Sequence, residues 1–446
     1  MSKPTKQRIH GRAFGYEPGR MKPVHLATGY FLALTERWYL LELLNKGVVT
    51  THSKGLKGDY LPENLLEILR KEGRISGGID GNKLVALRQQ IRAVADNDAA
   101  AFAAFAPYSQ FGNDYTLTSA RLVTGHKRLD GYAGAFIVRV LQRSEAGLEV
   151  LDLSRRWITQ GSDPLERFLE PLLDPLEDSR EWENDYDPRF GELDMDRLDD
   201  LSALMGVQTS ALALLCRNLE TSNPHHGRIR ALILGLSCWL FAYLIRLPSL
   251  DEPTQLLFMD FTGRPEGRCR VQSRASFARH RELLYRSYET WNQHGHFEGL
   301  EEDYGCFVRS KKTGELKEPD FKFLEQHYSD LAVRIGMAQP RAAVVKQKHY
   351  ECQPDTLRLL IRTVLGKEVV TLPDLAQRLK AIWGISFGGC MDDHPDLQEA
   401  GYLGLDEDDD LRSNRIAFVE LLKTMNLAVE PSDGLVLCSV DGALLP

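Results

Sequence analysis

Two pairs of histidines are the residues of this chain whose spacing comes nearest to metal chemistry. His225 and His226 are adjacent, and adjacent histidines rarely chelate one ion. His294 and His296 have the spacing of a chelating pair, but the sequence offers no cysteine or carboxylate partner for them. We therefore expect no metal and no cofactor. A hydrolase that uses these histidines stays open as an alternative.

Asp260 is the carboxylate best placed for catalysis, because it lies in the apolar run Gln255–Thr262, which predicts a strand. A metal-dependent nuclease would hold Mg²⁺ there and carry Glu-x-Lys on the next strand. That place is occupied by 272–274, Gln-Ser-Arg, which lacks the negative charge. A divergent nuclease centred on Asp260 is thus the alternative hypothesis. Walker, G-x-S-x-G and H-E-x-x-H motifs are absent from the sequence, which argues against an NTPase or a standard hydrolase.

Basic side chains cluster in the middle of the chain. Residues 264–286 hold seven arginines against Glu266 and Glu282, and residues 334–350 contain four bases and no acid. Arginine suits bidentate contacts to phosphate, and Tyr285, Tyr288 and Trp291 add surface on which bases could stack. The candidate nucleic-acid-binding or polyanion-binding residues are Arg264, Arg268, Arg270, Arg274, Arg279, Arg281, Lys346 and Lys348.

The net charge of −8 is distributed unevenly along the chain. Residues 1–92 hold 16 bases and 8 acids, residues 163–200 hold 4 bases and 15 acids, and residues 366–446 hold 6 bases and 15 acids. Such segregation bears on partners rather than on fold. Either the central arginines meet a polyanion, or they pair with the acidic segment 163–200.

The overall composition is that of a globular intracellular protein with several domains. Its seven scattered cysteines show no CxxC spacing, and the basic N-terminus lacks the apolar region of a secretory signal. Residues Ala231–Ile245 are uncharged but shorter than the roughly 20 apolar residues of a membrane span. We expect a core helix there, a cytoplasmic protein and no membrane contact.

Short β-hairpins are predicted within a mostly helical chain. Ala135–Leu141 and Leu148–Leu153 flank a Gly-containing turn, and Gln255–Thr262 is expected to turn back into Cys269–Gln272. A third hairpin is predicted from Cys306–Arg309. An amphipathic helix is predicted over Ser276–Trp291, with Ser276 as its N-cap.

The tail has a more specific order of elements. Helical spacing and boundary residues predict helices over Pro354–Leu365, Pro373–Trp383 and Leu411–Met425, with a short strand at Glu368–Leu372 and a terminal hairpin turning at Pro431–Gly434. This layout resembles that of winged helix-turn-helix domains, except that Gly384–Asp410 places a long loop where the family has a short turn. In DNA-reading members the third helix enters the major groove. Here Asp406–Asp410 precedes that helix and would repel phosphates, which favours a structural or protein-docking module.

The fold expected from these patterns is α+β, predominantly α-helical and multi-domain, with small β-hairpins and a C-terminal winged-helix-like domain. The segments are a basic N-terminal arm (1–25), a helical domain with a β-hairpin (26–162), an acidic linker (163–200), a helical core domain with a basic face (201–350) and the winged-helix-like domain (351–446). Our leading hypothesis is a non-catalytic, nucleic-acid-associated or scaffolding subunit of a larger bacterial assembly with protein partners. DNA or RNA would contact residues 264–350 and the arm. A role in antiviral defence is a hypothesis about context.

Overall fold

A computed structural model of the chain describes residues 15–16, 23–35, 133–160, 195–222, 225–249, 256–293, 322–340, 347–402, 404–432 and 434–440. Several predictions from the sequence lie outside these residues. They concern most of the basic arm and most of the acidic linker. They also concern the hairpin from Cys306–Arg309, the histidines His294 and His296, and Lys346.

The described part of the chain is predominantly helical with a few short strands, as the sequence predicted. Its helices are α1 (Pro23–Thr35), α2 (Ala133–Leu141), α3 (Glu145–Gln160), α4 (Met195–Leu204), α5 (Gly206–Ser222), α6 (His225–Arg246), α7 (Arg268–Gln293), α8 (Lys322–Arg334), α9 (Pro354–Leu365), α10 (Leu372–Trp383), α11 (Asp393–Glu399) and α12 (Arg412–Thr424). The strands are β1 (Leu257–Phe258), β2 (Ala338–Gln339), β3 (His349–Tyr350), β4 (Val370–Thr371), β5 (Ile385–Ser386), β6 (Ala428–Ser432) and β7 (Leu435–Cys438).

The chain divides into two compact units. The first comprises Met1–Asp199, Asn223–Ile233 and Glu302–Cys306. The second comprises Asp200–Ser222, Leu234–Glu301 and Phe307–Pro446.

In the first unit, helices α2 and α3 occupy the residues over which a hairpin was predicted, 135–153, so that prediction was wrong. Apolar runs as short as Ala135–Leu141 do not distinguish a strand from a helix by periodicity. Nearly all of α2 is buried, and a side chain at Gly134 would collide with the backbone of α1 at Leu26 and Tyr30. The signal that could have predicted α3 is Ser144, whose hydroxyl accepts from the backbone N–H of Gly147 at 3.2 Å, as an N-cap does.

Helix α6 contains the apolar segment that was expected to form a core helix. By length and composition alone, Arg228–Arg246 is long and apolar enough to cross a membrane. In the structure, 83% of that window is buried inside the protein, which is what a core helix shows. In the second unit, the indole of Trp239 donates to the hydroxyl of Thr209 on α5 at 3.0 Å. The ring of Phe241 lies 5.1 Å from that of Tyr328 on α8.

The strands that the structure describes in the second unit form three small sheets. Strand β1 pairs in parallel with β5, Leu257 opposite Ile385 and Phe258 opposite Ser386. Strands β2 and β3 pair antiparallel. The third sheet has the order β4-β7-β6, in which β6 and β7 form the terminal hairpin that the sequence predicted.

Three further expectations for this unit were wrong. Residues Cys269–Gln272 are not a strand but belong to the first turns of α7, which continues to Gln293. Ser276 is therefore buried inside this helix, where its hydroxyl accepts from the backbone N–H of Phe258 at 3.1 Å instead of capping the helix. The supposed long loop Gly384–Asp410 contains β5 and α11.

Helix α12 is fixed to the β1–β5 pair by Asn414, whose side chain is fully buried. Its amide nitrogen donates to the carbonyl oxygens of Met259 at 2.7 Å and Phe387 at 3.0 Å. Its amide oxygen accepts from the backbone N–H of Phe261 at 2.6 Å. The aromatic rings of Phe261, Phe387 and Phe418 pack together beside it. One side chain thus satisfies backbone groups just beyond the ends of both strands.

Replacing Asn414 with alanine is expected to lower the free energy of unfolding by about 3 kcal/mol or more. The reason is that three buried backbone groups lose their partner, at roughly 1–3 kcal/mol for each group left unsatisfied. Urea unfolding measures this, with Ser413→Ala, at the adjacent half-buried position, as the control. A loss below about 1 kcal/mol, within the range of one ordinary hydrogen bond, would contradict this role for Asn414.

Candidate polyanion-binding site

The arginine-rich segment folds as α7, and its periodicity sorts the side chains into two faces. Cys269, Ser273, Phe277, His280 and Leu284 are buried at spacings of three and four residues. The side chains of Arg286, Tyr285, Tyr288 and Trp291 lie outside the described residues. Because a helix turns by about 100° per residue, neighbouring arginines fall into different surroundings.

Asp260 lies just beyond β1 and is fully buried. One carboxylate oxygen accepts from the backbone N–H of Thr262 at 2.9 Å and from its hydroxyl at 2.7 Å. The other oxygen accepts from Nε of Arg270, with which it forms an ion pair. Both oxygens are therefore occupied by donors from the protein, which explains how a charged carboxylate tolerates burial here.

The guanidinium of Arg270 forms ion pairs with two carboxylates of the protein, those of Asp260 and Glu351. Besides Asp260, it donates through Nη2 to Glu351 Oε2 at 2.9 Å. The same carboxylate oxygen lies 3.0 Å from Nε2 of His349, whose Nδ1 faces the carbonyl oxygen of Gln347 at 3.1 Å. This buried network connects the segment after β1, helix α7 and the segment after β3. Arg270 was predicted to bind a polyanion, but the structure shows it as an internal partner of two carboxylates.

Lys348 is also buried, at 5% exposure, and its amine donates to the carbonyl oxygen of Pro340 at 3.2 Å. Desolvation by burial lowers the pKa of this amine, against the opposing effect of the charge on Asp330. Arg274 and Arg281 are half-buried. These residues and Arg270 are therefore less accessible than the other predicted binding residues that the structure describes.

Three of the predicted arginines are exposed, and we call them the basic face: Arg264, Arg268 and Arg279. Arg264 lies in the turn that leads into α7, and Arg268 begins the helix with a side chain that is 67% exposed. Arg279 lies three turns later on the same side of α7 as Arg268, and its Nη1 donates to the carbonyl oxygen of Ala400. Arg268 and Arg279 are about 16 Å apart along the helix axis, at about 1.5 Å per residue.

Asp410 is the residue next to the basic face that sequence reasoning did not connect with it. Its carboxylate lies 3.4 Å from Nη1 of Arg268, and its carbonyl oxygen accepts from the thiol of Cys269 at 3.4 Å. Burial, and then the charges of Asp260 and Asp410, raise the pKa of the Cys269 thiol to about 12, so that the thiol remains a donor. The acidic run 406–410 is visible in the sequence, but the sequence gives no indication that this run contacts α7.

The described residues hold no group of three or more His, Cys, Asp or Glu side chains that could bind a metal. His225 and His226 begin α6, but their side chains lie outside the described part. The most accessible thiol in that part is Cys390, whose Sγ lies 3.0 Å from Asp393 Oδ1 and 3.5 Å from the amine of Lys380. Burial and Asp393 raise its pKa to about 11, against the opposing effect of Lys380, which leaves a weak nucleophile.

A buried polar network also lies beneath the basic face. His280 Nδ1 lies 2.8 Å from the hydroxyl of Tyr350, which in turn contacts the hydroxyl of Tyr328. Burial, and to a lesser extent the charge of Arg279, lower the pKa of His280 to about 3. The ring is therefore neutral at physiological pH, and the network serves packing.

Comparison with known proteins gives no relative from which a function could be carried over, because no family model, no curated protein and no solved structure matches the chain.

Replacing Arg270 with methionine is expected to cost about 3–5 kcal/mol of stability, because it leaves the buried carboxylate of Asp260 without its counterion. The matched control is Arg268→Met, two residues earlier, where the lost pair is exposed and should cost at most about 1 kcal/mol. Adding Asp260→Asn to Arg270→Met should recover part of the loss. Chemical denaturation of the four proteins measures these effects, and equal losses from the two arginine variants would contradict the assignment.

Replacing His280 with glutamine is expected to weaken the dependence of stability on pH. The pKa of His280 is depressed in the folded state, so protons bind preferentially to the unfolded state, and stability is lost as pH falls from about 6.5 towards 3. Between pH 7 and pH 5, wild type should lose about 2 kcal/mol more than the variant. Urea unfolding at pH 8, 7 and 5 measures this, and pH 8 to 7 serves as the control because the ring is neutral there in both states. Parallel curves throughout would contradict the burial of a neutral His280.

Proposed function

We propose that this protein is a non-catalytic subunit of a larger cytoplasmic assembly, that its basic face contacts nucleic acid, and that its tail docks protein. The observation that carries the proposal is the exposure of Arg264, Arg268 and Arg279 on one turn and helix. Double-stranded DNA carries one charge per about 1.7 Å of axis, so a 16 Å row of guanidinium groups spans many phosphates. Because these contacts reach the backbone and not the base edges, we expect little sequence preference.

We infer that the tail is a winged-helix domain with an insertion. The order α9, β4, α10, α12 and then the hairpin β6–β7 supports this, as does the central position of β7 between β4 and β6. The insertion consists of β5 and α11, between the second and third helices of the domain. Strand β5 lies in this insertion and pairs with β1, so the inserted segment contributes to the structure of the second unit.

The surface of α12 favours a protein partner over DNA. Asp406–Asp410 precedes the helix, and most of these carboxylates are exposed, which opposes the approach of phosphates. Further along, Ile416 is 54% exposed, with Arg412 and Arg415 exposed nearby. An exposed branched apolar side chain among charges of both signs suits an interface between proteins. We propose that α12 provides this interface. An assembly in antiviral defence remains our hypothesis for its context.

The alternative is a divergent metal-dependent nuclease or hydrolase that uses Asp260 or the histidine pairs. The occupation of both Asp260 oxygens by Thr262 and Arg270 favours the non-catalytic proposal. A metal would have to displace the Arg270 guanidinium from a buried ion pair. The binding experiment also tests this alternative, because it is carried out with and without Mg²⁺.

Neutralising the basic face by Arg264→Gln, Arg268→Gln and Arg279→Gln together is expected to weaken binding to DNA and RNA and to flatten its salt dependence. Each lost phosphate contact lowers the slope of log K against log salt by about 0.9 on duplex DNA, so the slope should fall by up to about 3. Fluorescence anisotropy with labelled single-stranded and double-stranded probes, at several salt concentrations and with and without Mg²⁺, measures this.

The control variant neutralises three exposed bases elsewhere: Arg155→Gln, Arg217→Gln and Lys367→Gln. It changes net charge equally, so a similar loss of binding would show that the basic face has no special part. Absence of binding by the wild-type chain to every probe would overturn the nucleic-acid proposal. Mg²⁺-dependent cleavage that is abolished by Asp260→Asn would replace it with the enzymatic alternative.

A further inference from the structure

The first turn of α7 is the place where the basic face meets the acidic run Asp406–Asp410. Arg268 Nη1 and Asp410 Oδ2 are 3.4 Å apart, although they are separated by 142 residues in the sequence. The Arg268 side chain is 67% exposed and that of Asp410 is 19% exposed. A phosphate that approached Arg268 would therefore find a carboxylate already beside the guanidinium.

The acidic run is held in place by its own backbone and by the core. Asp410 Oδ2 accepts from the backbone N–H of Asp406 at 3.0 Å, and Asp406 Oδ1 accepts from that of Asp409 at 2.9 Å. These bonds close a wide helical turn over Glu407–Leu411 that leads into α12. The flanking residues Leu405 and Leu411 are buried in a cluster with Phe258, Cys269, Leu397 and Tyr402. The carboxylate of Asp410 is thus positioned against Arg268 by a packed scaffold.

The remaining carboxylates of this turn extend the effect. Glu407, Asp408 and Asp409 are exposed, and they share with Asp410 the helical turn that packs against α7. At an ionic strength of 0.15 M, charges act over about 8 Å before they are screened. Phosphate binding at Arg268 therefore competes with one carboxylate in contact and with several more nearby.

We propose that Asp410 masks Arg268 and so restrains nucleic-acid binding by the basic face, which is an autoinhibitory contact that rests on the function proposed above. A partner protein with a basic surface that engages the acidic run would neutralise these carboxylates where they stand and so weaken their competition with a phosphate at Arg268. Docking of protein at the start of α12 and binding of nucleic acid at α7 would then favour each other, because a coupling between two sites is reciprocal.

Asp410→Asn tests the masking directly in the full chain. We expect its affinity for a labelled duplex at low salt to rise about two- to fivefold, which is the range that surface ion pairs span. In an Arg268→Gln background the same substitution should have no effect, because the masked group is gone. Glu420→Gln is the matched control, since it removes one exposed carboxylate from α12 without touching Arg268.

A second variant guards against a fold effect, because Asp410 also accepts a bond from Asp406. Asp408→Asn with Asp409→Asn removes two exposed charges and leaves that bond intact, and it should also raise affinity, again only when Arg268 is present. Urea unfolding checks that each variant is folded.

The outcomes separate this inference from the proposed function. A rise with Asp410→Asn that vanishes in the Arg268→Gln background supports the masking. Binding that depends on the basic face but is unchanged by Asp410→Asn, or raised equally by Glu420→Gln, overturns the masking alone. Failure of wild type and all variants to bind any nucleic acid overturns both.

Discussion

The second unit depends on one buried amide, that of Asn414. Strands β1 and β5 are two residues long, and a parallel pair of that length offers few backbone hydrogen bonds of its own. The chain leaves both strands with backbone groups that need partners inside the protein. Asn414 supplies those partners for residues 259, 261 and 387 together. Strands β1 and β5 and helix α12 are thereby held in one arrangement, and the positions of Asp260 and Asp410 follow from it.

The separation of the arginines into buried and exposed sets follows from the period of α7. When residues 269–272 are taken for a strand, a period of two places Arg268 and Arg270 on the same face, and both belong to one basic surface. On a helix the two residues point about 200° apart. Arg270 then reaches the buried carboxylate of Asp260, whereas Arg268 faces solvent. The candidate set was drawn from the clustering of bases in the sequence, which does not separate the two faces, so it contains both the exposed Arg268 and the buried Arg270.

The tail was the most predictable part of the fold because its boundaries have local chemical causes. Thr371 caps α10 by accepting from the backbone N–H of Asp374, and Gly384 ends that helix with a φ of 70°, a left-handed conformation that glycine adopts without a steric penalty. Helix α9 begins and ends at the predicted residues, with Pro354 in its first turn. These signals need no knowledge of distant residues. Helix α2 had no such boundary signal: its apolar run is too short for periodicity to distinguish a helix from a strand, and its β-prone composition favoured the strand.

The distribution of charge along the sequence identified the basic residues of the candidate site but did not predict which carboxylates they contact. The sequence suggested that the central arginines could pair with residues 163–200, most of which lie outside the described residues, whereas three carboxylates from other segments contact Arg268 and Arg270 in the described part. They are Asp260, Glu351 and Asp410. Net charge is a sum over residues, whereas pairing depends on which elements the fold brings within about 4 Å, and only tertiary structure decides that. Two of these carboxylates, the buried Asp260 and the partly exposed Glu351, pair with the buried guanidinium of Arg270, where the pairing stabilises the fold. The third meets Arg268 at the surface, where water and salt weaken the pair, and in the function that we propose a polyanion would compete with it. The same type of contact is therefore structural at one arginine and adjustable at the other, and the difference lies in burial.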